Sequence, residues 1–101
     1  YIASASADKT VRVWEALSGR TICVYQRHTD QVEGVDWSLH GKYIVSGGKD
    51  QTAQIWEALT GKLIISYKKL NSTVETTLWS RDGTLVALGT NTKGIEIWKV
   101  S

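Results

Sequence analysis

The sequence predicts an all-β fold of four-stranded antiparallel units, and the 101-residue chain holds about 2.4 of them. Three observations carry this. First, the chain repeats itself: Trp14, Trp56 and Trp98 stand 42 residues apart, as do Trp37 and Trp79, Gly19 and Gly61, Gly41 and Gly83, and Asp8 and Asp50. Laying residues 1–42 on 43–84 without a gap gives 17 identities, where chance gives a few. Second, each unit reads as short apolar or β-branched runs separated by Gly, Asp and Asn. Third, the run before the tryptophan is apolar on both faces, with Val11 and Val13, Ala53 and Ile55, or Ile95 and Ile97 on one side and the Trp on the other. A strand of that kind belongs to a sheet covered on both sides. Short four-stranded sheets stacked face to face are the blades of a propeller.

The elements follow in order. In the middle unit the strands are expected at Val32–Ser38, Tyr43–Gly47, Thr52–Glu57 and Leu63–Lys68. The breaks between them are Leu39-His40-Gly41-Lys42, Gly48-Lys49-Asp50-Gln51 and Ala58-Leu59-Thr60-Gly61. In the last unit Arg81-Asp82-Gly83-Thr84 carries the Asp-Gly pair of a hairpin turn. EALSGR (Glu15 to Arg20) and EALTGK (Glu57 to Lys62) look briefly helical but are each one turn ending in Gly. No ten-residue stretch has helical periodicity. The expected partition is residues 1–26 for a first blade with its second to fourth strands, 27–68 for a complete blade, and 69–101 for a blade without its outer strand. All three belong to one propeller, incomplete or completed by other chains.

Composition narrows the function classes. Hydrophobic residues make up 42% and charged residues 22%, as in ordinary globular domains. A net charge of +2 is too small to argue for nucleic acid or an anionic membrane. There is no apolar run of about 18 residues, the length of a membrane-spanning helix. One cysteine, Cys23, excludes an internal disulfide framework. The chain has no Met and opens on a strand-like phrase, so a fragment or processed piece is expected.

At the level of motifs the chain resembles the WD40 repeat family. The period matches, as do the Trp14-Glu15 and Trp56-Glu57 endings, and the near-identical units look most like bacterial tandem arrays. The resemblance implies a polar network inside each blade: a His before the first strand, a Ser or Thr in the second, an Asp in the next turn, and the Trp. These fall on His28, Ser46, Asp50 and Trp56, and in the first unit on Ser4, Asp8 and Trp14. A turn Asp can accept backbone N–H groups and orient the imidazole, while the hydroxyl and the indole N–H complete the set. In the third copy His28 becomes Leu70, Ser46 becomes Leu88 and Asp50 becomes Thr92, with Trp98 retained. Joint replacement by apolar groups costs far less than removing one partner. The expectation is therefore a brace removed whole.

Other chemistry is weighed against these positions. His28, Ser46 and Asp50 have the composition of a catalytic triad, but they recur by period and no Gly-x-Ser-x-Gly elbow is present. Cys23, His28 and His40 lack the paired spacing of a metal site, so no metal and no cofactor are expected. Cys23 reads as a buried strand residue and His40 as an exposed turn residue. Gly47-Gly48-Lys49 is not a phosphate loop. The basic pairs Arg27-His28 and Lys68-Lys69 read as solvated rim. Asn71-Ser72-Thr73 fits the N-glycosylation pattern, which matters only in a secreted chain.

No small-molecule substrate is evident. The resemblance implies a rigid, non-catalytic scaffold that binds proteins on the face carrying the loop before the first strand and the turn between the second and third. The candidates expected to be exposed there are Gln31, Glu33 and Lys49, their counterparts Thr73, Glu75 and Asn91, and Ala7. A second reading makes the array a regulatory segment of a larger signalling enzyme. The two open blade faces are an aggregation hazard, so partners are expected to cover them: the rest of a propeller, or copies of this chain head to tail.

Overall fold

The computed structural model describes residues 1–68 and 70–100. Lys69 of the second basic pair, and Ser101, lie outside them. The ten strands are β1 (Ile2–Ala5), β2 (Val11–Trp14), β3 (Thr21–Tyr25), β4 (Val32–Trp37), β5 (Tyr43–Gly48), β6 (Ala53–Glu57), β7 (Leu63–Tyr67), β8 (Val74–Trp79), β9 (Leu85–Thr90) and β10 (Gly94–Lys99). They form three antiparallel sheets, ordered β1-β2-β3, β4-β5-β6-β7 and β10-β9-β8. We call these blades 1, 2 and 3. The three described sheets do not close a ring.

The turns show why the chain reverses where it does. In EALSGR and EALTGK the N–H of Gly19 or Gly61 bonds the carbonyl of Glu15 or Glu57 at 2.8 Å, closing one turn. Both glycines have positive φ, 72° and 75°, a conformation that a Cβ disfavours. The turn after β5 is held by Asp50, whose Oδ1 accepts the Thr52 N–H and hydroxyl at 3.2 and 2.9 Å. The turn after β9 is built differently. Gly94, with φ 70°, pairs directly with Thr90, so the ladder runs one residue pair further into the turn than in blade 2, and no Asp holds it.

Two apolar layers lie between the sheets. Val11, Val13 and Tyr25 of blade 1 pack on Val32, Ile44, Trp56 and Ala58. Val45, Ala53, Ile55 and Tyr67 of blade 2 pack on Leu70, Val74, Val86 and Leu88. Successive strand residues thus serve opposite layers, as strand geometry requires. Blade 2 is covered on both faces. Ile95 and Ile97, expected in a covered face, are instead 75% and 66% exposed, because no fourth sheet lies against blade 3 among the described residues.

Blades 2 and 3 also meet along their first strands. Gly34 and Gly47 are paired across β4 and β5, leaving a notch without side chains. A Cβ on Gly34 would stand 3.0 Å from the Thr76 Cα, and one on Gly47 would stand 2.5 Å from the Val74 side chain. The strand β8 therefore lies in that notch. Asp36 fixes it there: its Oδ2 accepts the Trp79 backbone N–H at 2.9 Å, and its carbonyl accepts the indole N–H at 3.2 Å.

Candidate functional site

The polar cluster of blade 2 is assembled from four elements. His28, in the loop before β4, bonds Asp50 Oδ2 through Nδ1 at 2.8 Å and Ser46 Oγ through Nε2 at 2.7 Å. Trp56 donates its indole N–H to the same Ser46 oxygen at 3.0 Å. Asp50 Oδ2 also accepts the Thr29 N–H at 3.1 Å. The His28 and Asp50 side chains are 0% and 2% exposed, and Ser46 is wholly buried. Nothing from solvent reaches the serine oxygen, and both imidazole nitrogens are occupied. The arrangement ties a loop, two strands and a turn into one rigid unit.

Burial alone would raise the Asp50 pKa. The hydrogen bond from His28, the attraction to His28 and the bonds from Thr52 and Thr29 outweigh it, and the carboxyl sits below its ordinary value of 3.8. A depressed folded pKa contributes stability that is present above the ordinary value and lost as pH falls through the folded one. Melts of the chain from pH 7 to pH 2 are therefore expected to hold steady through neutrality and drop in the acid range. Asp8 and Asp82 are also lowered by their turn hydrogen bonds, so the Asp50 share is read as the difference from Asp50→Asn. An equally steep acid drop in that variant would contradict the assignment.

The other two blades depart from this plan. In blade 1, Trp14 donates to Ser4 at 3.1 Å, but Asp8 is exposed and bonds only its own turn, through Thr10 and Ser6, and pairs with Arg12 at 3.9 Å. In blade 3, Leu70 and Leu88 are buried, and Trp98 packs on Tyr67 with ring centroids 5.2 Å apart. The brace is not removed whole, however. Ser72 donates to Asn91 Oδ1 at 2.7 Å and accepts the Thr92 hydroxyl at 2.8 Å, and the Thr73 N–H bonds Asn91 at 3.1 Å. A polar latch thus joins the same loop and turn one layer nearer the surface, while the interior is apolar.

Two further members were not legible. Gln54 accepts the Tyr25 hydroxyl and donates to Thr52 Oγ1 at 3.1 Å, joining the cluster to blade 1. Tyr25 also stacks on Trp56, with centroids 4.2 Å apart and planes 1° from parallel. Burial pushes the Tyr25 phenol up from its ordinary pKa. The repeat counterparts of Gln54 are Arg12 and Glu96, so no period marks it. At Glu96, Tyr67 turns its hydroxyl to the Lys99 carbonyl instead, and Oε2 lies buried with no hydrogen-bond partner among the described residues.

The loop-side candidates are spread along one edge. Glu33, Lys49, Glu75, Asn91 and Ala7 are exposed, and Lys49 pairs with Glu33 at 3.9 Å. Gln31 and Thr73 were expected to be exposed but are half-buried, because their carbonyls accept the N–H groups of Lys49 and Asn91. His40 is exposed in the turn after β4, at the opposite end of that strand from the loop that carries His28. Cys23 is half-buried rather than buried, and burial raises its thiol pKa. No group of three or more His, Cys, Asp or Glu side chains suited to a metal is found among the described residues.

Comparison with known proteins bears on the same blades. The family model of the WD domain, G-beta repeat, matches residues 1–15 and 19–57, more than half the chain. The chain belongs to the WD40 family. Individual WD40 relatives align over about one repeat. A chromatin assembly factor 1 subunit of Mus musculus is 40% identical over 40 residues, 40% of this chain and 7% of its own length. The Lissencephaly-1 homolog of Dictyostelium discoideum is 37% identical over 43 residues, 43% of this chain and 10% of its own. Nuclear distribution protein PAC1 of Mycosarcoma maydis is 36% identical over 42 residues, 42% and 9%. The chain thus spans a tenth or less of the length of these relatives. They are eukaryotic, and the bacterial character expected from the tandem units finds no support among them.

Proposed function

We propose that this chain is a non-catalytic WD40 scaffold that binds proteins through the loop edge carrying Glu33, Lys49, Glu75, Asn91 and Ala7. The observation that carries the reading is the complete enclosure of His28, Ser46 and Asp50. The one constellation with a hydrolase's residue types is shut inside blade 2, with every acceptor and donor engaged. Its work is to hold the loop before β4 against the turn after β5, which keeps the neighbouring Glu33 and Lys49 in place. A rigid edge suits recognition because little side-chain order is lost on binding. One relative is by name part of a chromatin assembly factor, which accords with use of such repeats within multi-protein assemblies.

The test is site-specific photo-crosslinking from positions 33, 49 and 75 of the chain in its native cell. A protein crosslinked there is expected to lose binding at least about tenfold, roughly 1.4 kcal/mol, to a Glu33→Arg, Lys49→Glu variant that melts like the wild type. Retained binding in that variant, or crosslinks confined to other faces, would remove the loop edge from the proposal. Substrate turnover lost in a folded His28→Ala variant would replace the scaffold reading with an enzymatic one.

A further inference from the structure

The edge of the sheets opposite the loop edge carries a groove that the scaffold reading leaves unused. Because β8 is seated against β4, the turns that follow these two strands stand side by side. Between them lies a groove of about 460 Å³. Tyr43 and Trp79 line it, with ring centroids 6.5 Å apart and planes 28° from parallel. Both rings are half-buried. Trp79 is fixed through both of its nitrogens, which donate to Asp36 at 2.9 and 3.2 Å. A held aromatic pair that still meets solvent is a ready anchor, because little side-chain order is lost when something packs on it.

The groove is also charged. The Lys42 ammonium stands over the Tyr43 ring, 5.4 Å from its centroid. Arg81 and Asp82 line the groove, and both are exposed. Asp82 Oδ1 is taken up by its own turn, through the Ser80 hydroxyl and the Thr84 N–H and hydroxyl. Lys42 and Arg81 pair with no carboxylate among the described residues. Leu39, 62% exposed, stands on the same wall. The walls come from residues 38–43 and 79–83, inside the chain. One blade earlier, Tyr1 and Trp37 line the counterpart groove of about 400 Å³, with Leu59 of the turn after β6 beside them. That turn borders the groove without filling it. Leu39 is the repeat counterpart of Arg81, so the guanidinium is particular to the groove between blades 2 and 3.

We infer that this groove binds an acidic peptide segment of a partner protein, with an apolar side chain against Leu39, Tyr43 and Trp79 and carboxylates on Lys42 and Arg81. Charge complementarity selects the occupant. A wholly apolar segment would cover two cations and leave them without partners, which is costly. A carboxylate answers both, and the guanidinium fork can take it through two parallel bonds. A nucleic acid fits less well, since two cations beside a carboxylate neutralise few phosphates. The inference does not depend on the loop edge of the scaffold reading, which lies at the other end of the same strands.

Fluorescence anisotropy of the whole chain with labelled probes tests it. The probes are a short peptide of glutamates flanking one leucine, the same peptide with lysines for glutamates, the same with serine for leucine, and an oligothymidine. The glutamate–leucine peptide is expected to bind saturably, and the other three at least about tenfold more weakly. Lys42→Glu with Arg81→Glu is expected to weaken that peptide at least about tenfold with the melt preserved, since both side chains are exposed. Lys9→Glu with Lys93→Glu changes the net charge equally on exposed turns of the other edge, and is expected to bind like the wild type. The Glu33→Arg, Lys49→Glu variant is also expected to bind like the wild type. No binding of the glutamate–leucine peptide would overturn the inference, as would equal or tighter binding of any other probe. Retained binding in the Lys42→Glu, Arg81→Glu variant, or an equal loss in either variant of the other edge, would overturn it too.

Discussion

Trp56→Ala is expected to destabilise the chain by about 3–5 kcal/mol, the range for truncating a large buried aromatic. Trp56 has no exposed surface, stacks on Tyr25 and donates to Ser46. Its removal opens a cavity between blades 1 and 2, ends a stacking contact worth about 0.5–1.5 kcal/mol and leaves the serine oxygen short of a donor. For a domain of this size the midpoint falls by more than about 12 °C. Trp98→Ala and Trp14→Ala are expected to lower it by less than half as much, because both rings are only half-buried. Equal shifts for the three tryptophans in thermal melts would show that the stack and the enclosure of Trp56 contribute little.

His28→Leu is the second large effect, with an expected loss of about 2–4 kcal/mol. The substitution leaves Asp50 buried without its imidazole partner and Ser46 without one of its two bonds. Its cost comes from the partners it strands, since the same side chain at Leu70 is well packed where no Asp or Ser faces it. The reverse change, Leu70→His, is expected to destabilise as well. It would set an imidazole in the apolar cluster that holds Leu70, with Leu88 in place of the Ser46 hydroxyl and no carboxylate at the Asp50 position, where Thr92 is already bonded to Ser72. Converting His28, Ser46 and Asp50 together to their blade 3 counterparts is expected to cost less than His28→Leu alone, read from denaturant midpoints at constant slope. A triple variant less stable than the single one would show that the brace contributes energy beyond mutual satisfaction of its members.

The blades differ in what their sequences disclosed. The turns at Gly19 and Gly61 and the strand limits of blade 2 were readable within a residue, because each depends on residues a few positions apart. Burial of Val11 and Val13 followed from alternation. The same alternation misplaced Ile95 and Ile97, since a strand cannot encode whether a neighbouring sheet is present. The third copy showed its lost Asp but not the replacement, because Ser72, Asn91 and Thr92 have no counterparts of their kind in the other units.

The sequence by itself determined the repeat: a 42-residue unit, its β character, the positions of its turns and the residue types placed at each interior position. These are properties shared by every copy, and comparing copies reveals what is shared. The tertiary structure decided what passes between copies. The hydroxyl of Tyr25 meets Gln54 and Asp36 holds Trp79, pairs that lie 29 and 43 positions apart. Such contacts depend on which face meets which, and side-chain geometry across a gap between sheets has no period for a sequence to display.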